Sequence, residues 1–426
     1  MKRLVSALAI LVVARMAFHA LWLPAFEGPD EPHHLGRVLA FATEPFAEAF
    51  AGARVPPAVV AAVRAYPCAP VLARAYGCGP FSQRPGAFDL IRPGPISAPA
   101  ESVSNPEANQ PPLFYMIAAL PLEVGARSTD PAAALLAVRL LSVAAVALAL
   151  FGPLRSATRA WSDEARAAGL LVLLLPGACE ALARASNDAA VFLWAACVVA
   201  ALQDRPRSVA IVALLAAGPL LKLTAIPIVV FAVVALWTDG RRGAAAAGAA
   251  TSLAVFPVQL LRGWLWGGTV ELNRVTAPIH EAGWHAVLGF ARSVYAFVKT
   301  TFWVGGWSEL RPPVWLAAAF FVLLAAATLV TGRRPDARRA VAHRVGLAVA
   351  AAGFIVFAVA NRRLYGDWGG VAGWYLWDWS PWLAVAAADL LRVRRGAAGP
   401  LLAATALFAA VSNSVWLAAH AAFYGG

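Results

Sequence analysis

Residues 26–34 read FEGPDEPHH, placing Asp30 and Glu31 side by side between Pro29 and Pro32, with His33 and His34 next in line. Proline fixes its own backbone and restricts the residue before it, so these side chains are held rather than loose. Carboxylates held beside imidazoles can take a proton from a hydroxyl or bind a divalent cation. The plainer use of such a pair is a solvated cap where a helix leaves the bilayer. Further along, NPEANQPPLFY supplies Glu107, and the amides of Asn109 and Gln110 suit a phosphate or a sugar hydroxyl. Asn before Pro-Pro is also a helix-start signal. SND, residues 186–188, brings Asp188 to a tight turn, where capping is the ordinary role. Lys222 interrupts an apolar run, and an ionisable residue at such depth is a functional candidate, with snorkelling as the bland alternative. Arg139 in AVRLLS and the pair Arg362 and Arg363 stand at other helix ends and can face a phosphate in the same way. GGVAGWYLWDWSPWL, which contains Tyr375, is either an interfacial aromatic belt or a wall that stacks on sugar or lipid.

The elements that must position these residues are apolar helices. A hydrocarbon core about 30 Å thick needs roughly 20 helical residues. That length predicts about eleven spans, near 4–23, 135–151, 165–183, 189–202, 208–221, 225–237, 244–261, 313–330, 345–360, 375–391 and 401–419. With the N-terminus in the cytoplasm, every connection expected on that side is rich in arginine, as the positive-inside bias requires. The pattern holds if 110–124 lies at the outer surface; its length and its opening Pro111-Pro112 favour that placement. Two long segments, 25–131 and 262–312, then lie outside, and the chemistry candidates gather on that one face. The tryptophans of the second suit amphipathic helices resting in the interface. The 1–24 run has a basic start, but its length, Arg15 and the lack of a small-x-small site argue for a retained anchor over a cleaved signal peptide. Cys68 and Cys78 fall in the first outer segment, where a disulfide is permitted.

Composition sets the class. The chain has 426 residues, of which 61% are hydrophobic and 14% charged. Its mean hydropathy of +0.67 describes an all-α polytopic membrane protein, a single transmembrane domain over 1–426. The net charge of +12 is carried by arginines in short loops, and no basic stripe interleaved with aromatics points to nucleic acid.

PDEPHHLGRV, PEANQPPLFYMIAAL, VRLLS, SND and LLKLTAIP occur in this order across most of the chain. In that order it resembles the membrane glycosyltransferases of the GT-C fold, a group that includes protein mannosyltransferases and aminoarabinose transferases acting on lipid A. The KTTFWVGGWSELRPP stretch is similar to a Phe-Trp and Gly-Trp segment of related membrane proteins. The resemblance implies transfer of a sugar from a polyprenyl-phosphate donor to a glycan, lipid or protein acceptor on the outer face of the cytoplasmic membrane. It implies Asp30 as catalytic base with Glu31 beside it, and Lys222 and Arg139 facing the carrier phosphate. It further implies Glu107 and Asp188 around a divalent cation, magnesium or manganese. His33, His34, Asn109, Gln110, Arg362, Arg363 and Tyr375 complete the expected substrate site. Two positions depart from the family pattern. Gly373-Trp374-Tyr375 stands where relatives carry Gly-Arg-Tyr, and Asn109 stands where a histidine is common. Arg362 or Arg363 is then expected to supply the missing charge. A transporter or flippase, and a non-catalytic envelope scaffold, are the competing readings; transport calls for ionisable residues along a path through the bundle.

Overall fold

The computed structural model describes residues 2–51, 54–66, 68, 72–73, 76–79, 103–124, 130–204, 207–255, 257, 284–302, 312–333, 340–365, 368, 373–393 and 396–424. Over these the protein is built of α-helices, with two short two-stranded pairings. Four described helices are long and apolar enough to cross a membrane: Lys2–Trp22, Pro131–Ala157, Ala340–Ala360 and Ala398–Phe423. A fifth span results if Asp163–Leu173 and Pro176–Ala183 count as one helix, bent by 72°. The chain is an all-α membrane protein. The other expected spans are shorter helices or extend into residues outside the described set. Ser208–Leu221 has 14 residues and Ile226–Thr238 has 13; at 1.5 Å per residue each reaches only about 20 Å.

Chain order sets up the site. Helix α1 (Lys2–Trp22) ends just before Pro24, and α2 (Glu31–Thr43) starts with Pro32 in its first turn. Then come α3 (Phe46–Ala51) and α4 (Pro57–Ala65). Cys68 and Cys78 are bonded. Strand β1 (Arg54–Val55) pairs antiparallel with β2 (Val103–Ser104), which leads into a 3-10 turn, Pro106–Asn109. Helix α5 (Leu113–Val124) has 12 residues, about 18 Å, and packs on α2. Helix α6 (Pro131–Phe151) is capped by Asp130, whose side chain accepts from the Ala132 amide.

After α7 (Pro153–Ala157) come α8 (Asp163–Leu173) and α9 (Pro176–Ala183). Pro176 has no amide proton for the ladder, so the helix breaks there. Asn413 Nδ2 donates to the Leu174 carbonyl at the break, at 2.7 Å, and Asn413 Oδ1 accepts from Arg15 Nε at 2.9 Å. Helices α10 (Asp188–Asp204), α11 (Ser208–Leu221), α12 (Ile226–Thr238) and α13 (Arg242–Leu253) pack on one another. The remainder are α14 (Trp284–Phe302), α15 (Val314–Val330), α16 (Ala340–Tyr365), α17 (Tyr375–Leu390) and α18 (Ala398–Tyr424). Strands β3 (Thr331–Arg333) and β4 (Leu391–Val393) join the α15–α16 and α17–α18 connections.

Two apolar cores run through the described residues. One runs from Val38, Val63 and Tyr115 to Trp194, Phe231 and Trp382. The other gathers Met16, Leu182, Phe192, Phe302, Trp377 and Trp416. The α9–α10 turn lies where they meet, since Ala185 and Val191 belong to the first and Ala183 and Ala189 to the second.

Candidate active site

The 23–34 segment folds tightly. Phe26 and Asp30 take left-handed backbone angles, φ 68° and 63°, a conformation that costs an L-residue roughly 1–2 kcal/mol. The backbone carbonyl of Asp30 accepts the amides of His33 and His34 at 3.0 and 2.9 Å. Its side chain makes no capping bond, so the carboxylate is left for other work. The strain is sustained by the neighbour. Glu31 is fully buried and takes Arg139 Nε at 2.7 Å and Nη2 at 2.5 Å. It also accepts the amides of Ala185 and Gly28. Arg139 donates besides to the carbonyls of Ala20, Leu23 and Pro24. Glu31 and Arg139, expected as catalytic and phosphate-facing groups, therefore spend their polar atoms tying α1, α2, α6 and the 185 turn together.

A second set of contacts hangs the Pro106–Asn109 turn on α2. Asn105 is buried; its Oδ1 accepts the Glu107 amide and its Nδ2 donates to the His33 carbonyl at 3.0 Å. Arg37 Nη1 donates to the Ala108 carbonyl at 2.6 Å, and its guanidinium lies 4.8 Å over the Tyr115 ring. Tyr115 and His34 meet at 2.9 Å through the phenol oxygen and Nδ1, while His34 Nε2 lies 3.8 Å from Glu107 Oε2. Burial and the Glu107 charge raise the Tyr115 phenol above its usual range. Burial holds His34 down to about 3. A protonated phenol donating to Nδ1 of a neutral ring leaves the ring proton on Nε2, toward Glu107.

The third set is ionic. Arg184 reaches Asp188 Oδ2 through Nη2 at 2.5 Å and Nε at 3.2 Å. Lys222, the C-terminal cap of α11, donates to Asp188 Oδ1 and, at 3.1 Å, to Asp378 Oδ2. Thr224 also donates to Asp378 Oδ2. Both cations lie against aromatic faces, Arg184 over Trp374 at 5.1 Å and Lys222 over Tyr375 at 4.7 Å.

These sets meet around one half-open pocket. Asp30 and His34 reach it from the start of α2, Glu107 and Gln110 from the 3-10 turn, Arg184 and Asn187 from the α9–α10 turn, and Lys222, Trp374 and Tyr375 from the remaining side. Three of these residues carry a buried polar atom with no hydrogen-bond partner among the described residues: Arg184 Nη1, Asn187 Oδ1 and Glu107 Oε2. Asp30 keeps 35% side-chain exposure, open to the cavity although walled by protein. Burial alone would raise its carboxyl; His33, 3.7 Å away, and the charge of Arg184 outweigh this and hold it below the usual range. Burial and the Asp30 charge push Glu107 up to about 8. One carboxylate is thus ionised and the other protonated near neutrality.

The structure brings Asp30, His34, Glu107, Gln110, Lys222 and Tyr375 together. Asp188 lies beneath the cavity, and His33 stands beside it, 3.7 Å from Asp30. Arg362, in the last turns of α16, is not among the lining residues. The side chains of Asn109 and Arg363 lie outside the described residues. Among the described residues no group of three or more His, Cys, Asp or Glu side chains is placed to hold a metal ion. Both oxygens of Asp188 are committed to cations, Oδ2 to Arg184 and Oδ1 to Lys222.

Sequence reasoning missed Arg184, Asn187, Trp374 and Asp378 as site residues. Arg184 stands two residues before SND, and Asp378 interrupts an apolar helix, which is itself a signal. That Arg184 faces Trp374, 190 positions away, had no signal. No family model, curated protein or solved structure matches this chain.

Proposed function

We propose that the protein is a GT-C-like glycosyltransferase that moves a sugar from a polyprenyl-phosphate donor to an envelope acceptor, a glycan, a lipid or a protein. The observation that carries this reading is the single cavity shared by an ionised carboxylate, a protonated carboxyl and two cations held on aromatic faces. In this reading Asp30 takes the proton of an acceptor hydroxyl while its oxygen bonds to the anomeric carbon. The bond from that carbon to the phosphate oxygen breaks, and the leaving phosphate keeps the electron pair. Lys222 and Arg184, oriented beforehand, stabilise the charge that develops there. Glu107, protonated, donates a hydrogen bond to substrate oxygen. Arg184 against Trp374 supplies a cation at the point where the GT-C resemblance implies an arginine in place of that tryptophan. The proposed setting is the cytoplasmic membrane, with the N-terminus inside and the cavity outside. A bundle of about eleven spans belongs to the same reading.

The test is mass analysis of lipid-linked sugars and envelope glycans in cells with and without the protein, and in cells carrying Asp30→Asn. The expected result is an accumulated lipid-linked sugar and a missing glycan unit in both the deletion and the variant, at unchanged protein abundance. A variant with full transfer would remove Asp30 from the mechanism.

A transport reading draws on one specific observation: His19, Glu180 and His420 are fully buried inside the helical bundle. Reconstituted vesicles that move a lipid-linked sugar across the bilayer without altering it would favour transport over transfer.

A further inference from the structure

Helix α14, Trp284–Phe302, has two unlike faces. Trp284, Val287, Leu288 and Tyr295 recur at helical spacing along one side and are exposed, Trp284 by 73% and Tyr295 by 60%. Arg292, also exposed, flanks them. The opposite side is fixed to the bundle. The Trp368 indole lies on Gly289, where a Cβ would come within 2.4 Å of it, and Ser293 Oγ donates to the Trp368 carbonyl. Phe290 and Phe297 meet Phe354 of α16 edge to face, and at the C-terminal end of the helix, beyond the exposed stripe, Phe302 stacks on Phe320 of α15.

The same helix seats one wall of the cavity. Thr300 Oγ1 accepts the Gly373 amide at 2.6 Å, and Trp377 Nε1 donates to the Thr301 carbonyl at 2.7 Å. A Cβ on Gly373 would lie 1.8 Å from the Phe297 carbonyl oxygen, so this contact admits only glycine. Gly373 directly precedes Trp374 and Tyr375, the rings beneath Arg184 and Lys222.

We propose that α14 is a bilayer-surface helix whose exposed stripe beds in the boundary between phospholipid headgroups and acyl chains, and that this bedding seats the Trp374–Tyr375 wall. The occupant is lipid because the chain is membrane-embedded and because the exposed apolar stripe ends in a tryptophan and carries a flanking arginine, a pattern that suits the boundary between headgroups and acyl chains. The site then answers to the membrane surface: lipid holds α14, α14 holds Gly373, and Gly373 sets the rings that orient the two cations. The inference rests on membrane embedding and not on the proposed reaction, so either can fail alone.

The test uses the full chain in vesicles of phosphatidylethanolamine and phosphatidylglycerol, with Cys179 and Cys197 replaced by alanine. Val287→Cys and Leu288→Cys, each carrying an environment-sensitive fluorophore, are compared with Glu48→Cys as an exposed reference. Nitroxide lipids labelled near the headgroup should cut fluorescence at 287 and 288 by about twofold, and more than lipids labelled at mid-chain, with little effect at 48. Absence of quenching at 287 and 288 would overturn the lipid assignment. Efficient disulfide formation between two copies through Val287→Cys would overturn it in favour of a dimer. For the coupling, Thr301→Cys should react with a maleimide about tenfold faster when combined with Leu288→Glu, or with the milder Val287→Ser, through local opening at unchanged thermal midpoint. An unchanged rate in both combinations would refute it.

Discussion

Asp30 and Glu107 line the same cavity, yet their surroundings push them opposite ways. This makes a pH prediction that needs no substrate. His34, at about 3, binds fewer protons in the folded state than its ordinary value of 6.5 allows unfolded, so it makes stability rise with pH between 3 and 6.5. Glu107, at about 8, holds a proton that its ordinary value of 4.5 would release, so it makes stability fall as pH rises from 4.5 to 8. Between 4.5 and 6.5 the two oppose each other; above 6.5 only the falling limb remains. The thermal midpoint of the wild-type protein should therefore drop from pH 6.5 to 8, and Glu107→Gln should make that limb shallower. An identical slope in both proteins would show that Glu107 does not carry the proton. The Glu31–Arg139 pair predicts a different outcome. Glu31→Gln leaves a buried guanidinium short of its counter-charge, and removing one partner of such a pair typically costs about 3–5 kcal/mol. Poor membrane accumulation and a lower midpoint are expected, whereas Asp30→Asn, on a half-exposed and strained residue, should accumulate normally.

The broken helix α8–α9 carries the site's turn. Pro176 interrupts the hydrogen-bond ladder and leaves the Leu174 carbonyl to Asn413, which also receives Arg15 from α1. One side chain on α18 thus joins three elements and aims α9 at residues 184–188. Asn413→Leu leaves that carbonyl and the Arg15 guanidinium unpaired. A loss of about 1–3 kcal/mol is expected, read as a lower thermal midpoint in detergent. An unchanged midpoint would mean that water replaces the amide at the break. The Arg15 guanidinium also lies 4.8 Å over Trp416.

Seen whole, the protein concentrates its buried charge at one end of the bundle, around the α9–α10 turn, with apolar helices below. The arginine-rich connections predict which side that end faces. A membrane-impermeant maleimide should label Glu48→Cys in intact cells and Arg242→Cys only after permeabilisation. Labelling of both from one side would overturn the orientation. Length limits how many of the apolar stretches count as spans. Several apolar stretches expected to cross the bilayer form described helices of 12–17 residues. Apolar periodicity records burial without saying whether the burial is in lipid or in protein.

Composition and hydropathy alone fixed the class, because a chain this apolar and this sparsely charged must bury its surface in a bilayer. Local order also marked Asp30, Glu107, Lys222 and Tyr375, because ionisable or aromatic residues at helix ends beside proline are conspicuous in an apolar sequence. Tertiary structure alone decided their partners. Glu31, adjacent to Asp30 and chemically almost the same, became a strut because the left-handed turn at Asp30 sends the two carboxylates in different directions. Arg184 came to the cavity because Trp374 folds against it. Contacts between residues more than a hundred positions apart follow from how helices pack, and nothing in the local sequence records that packing.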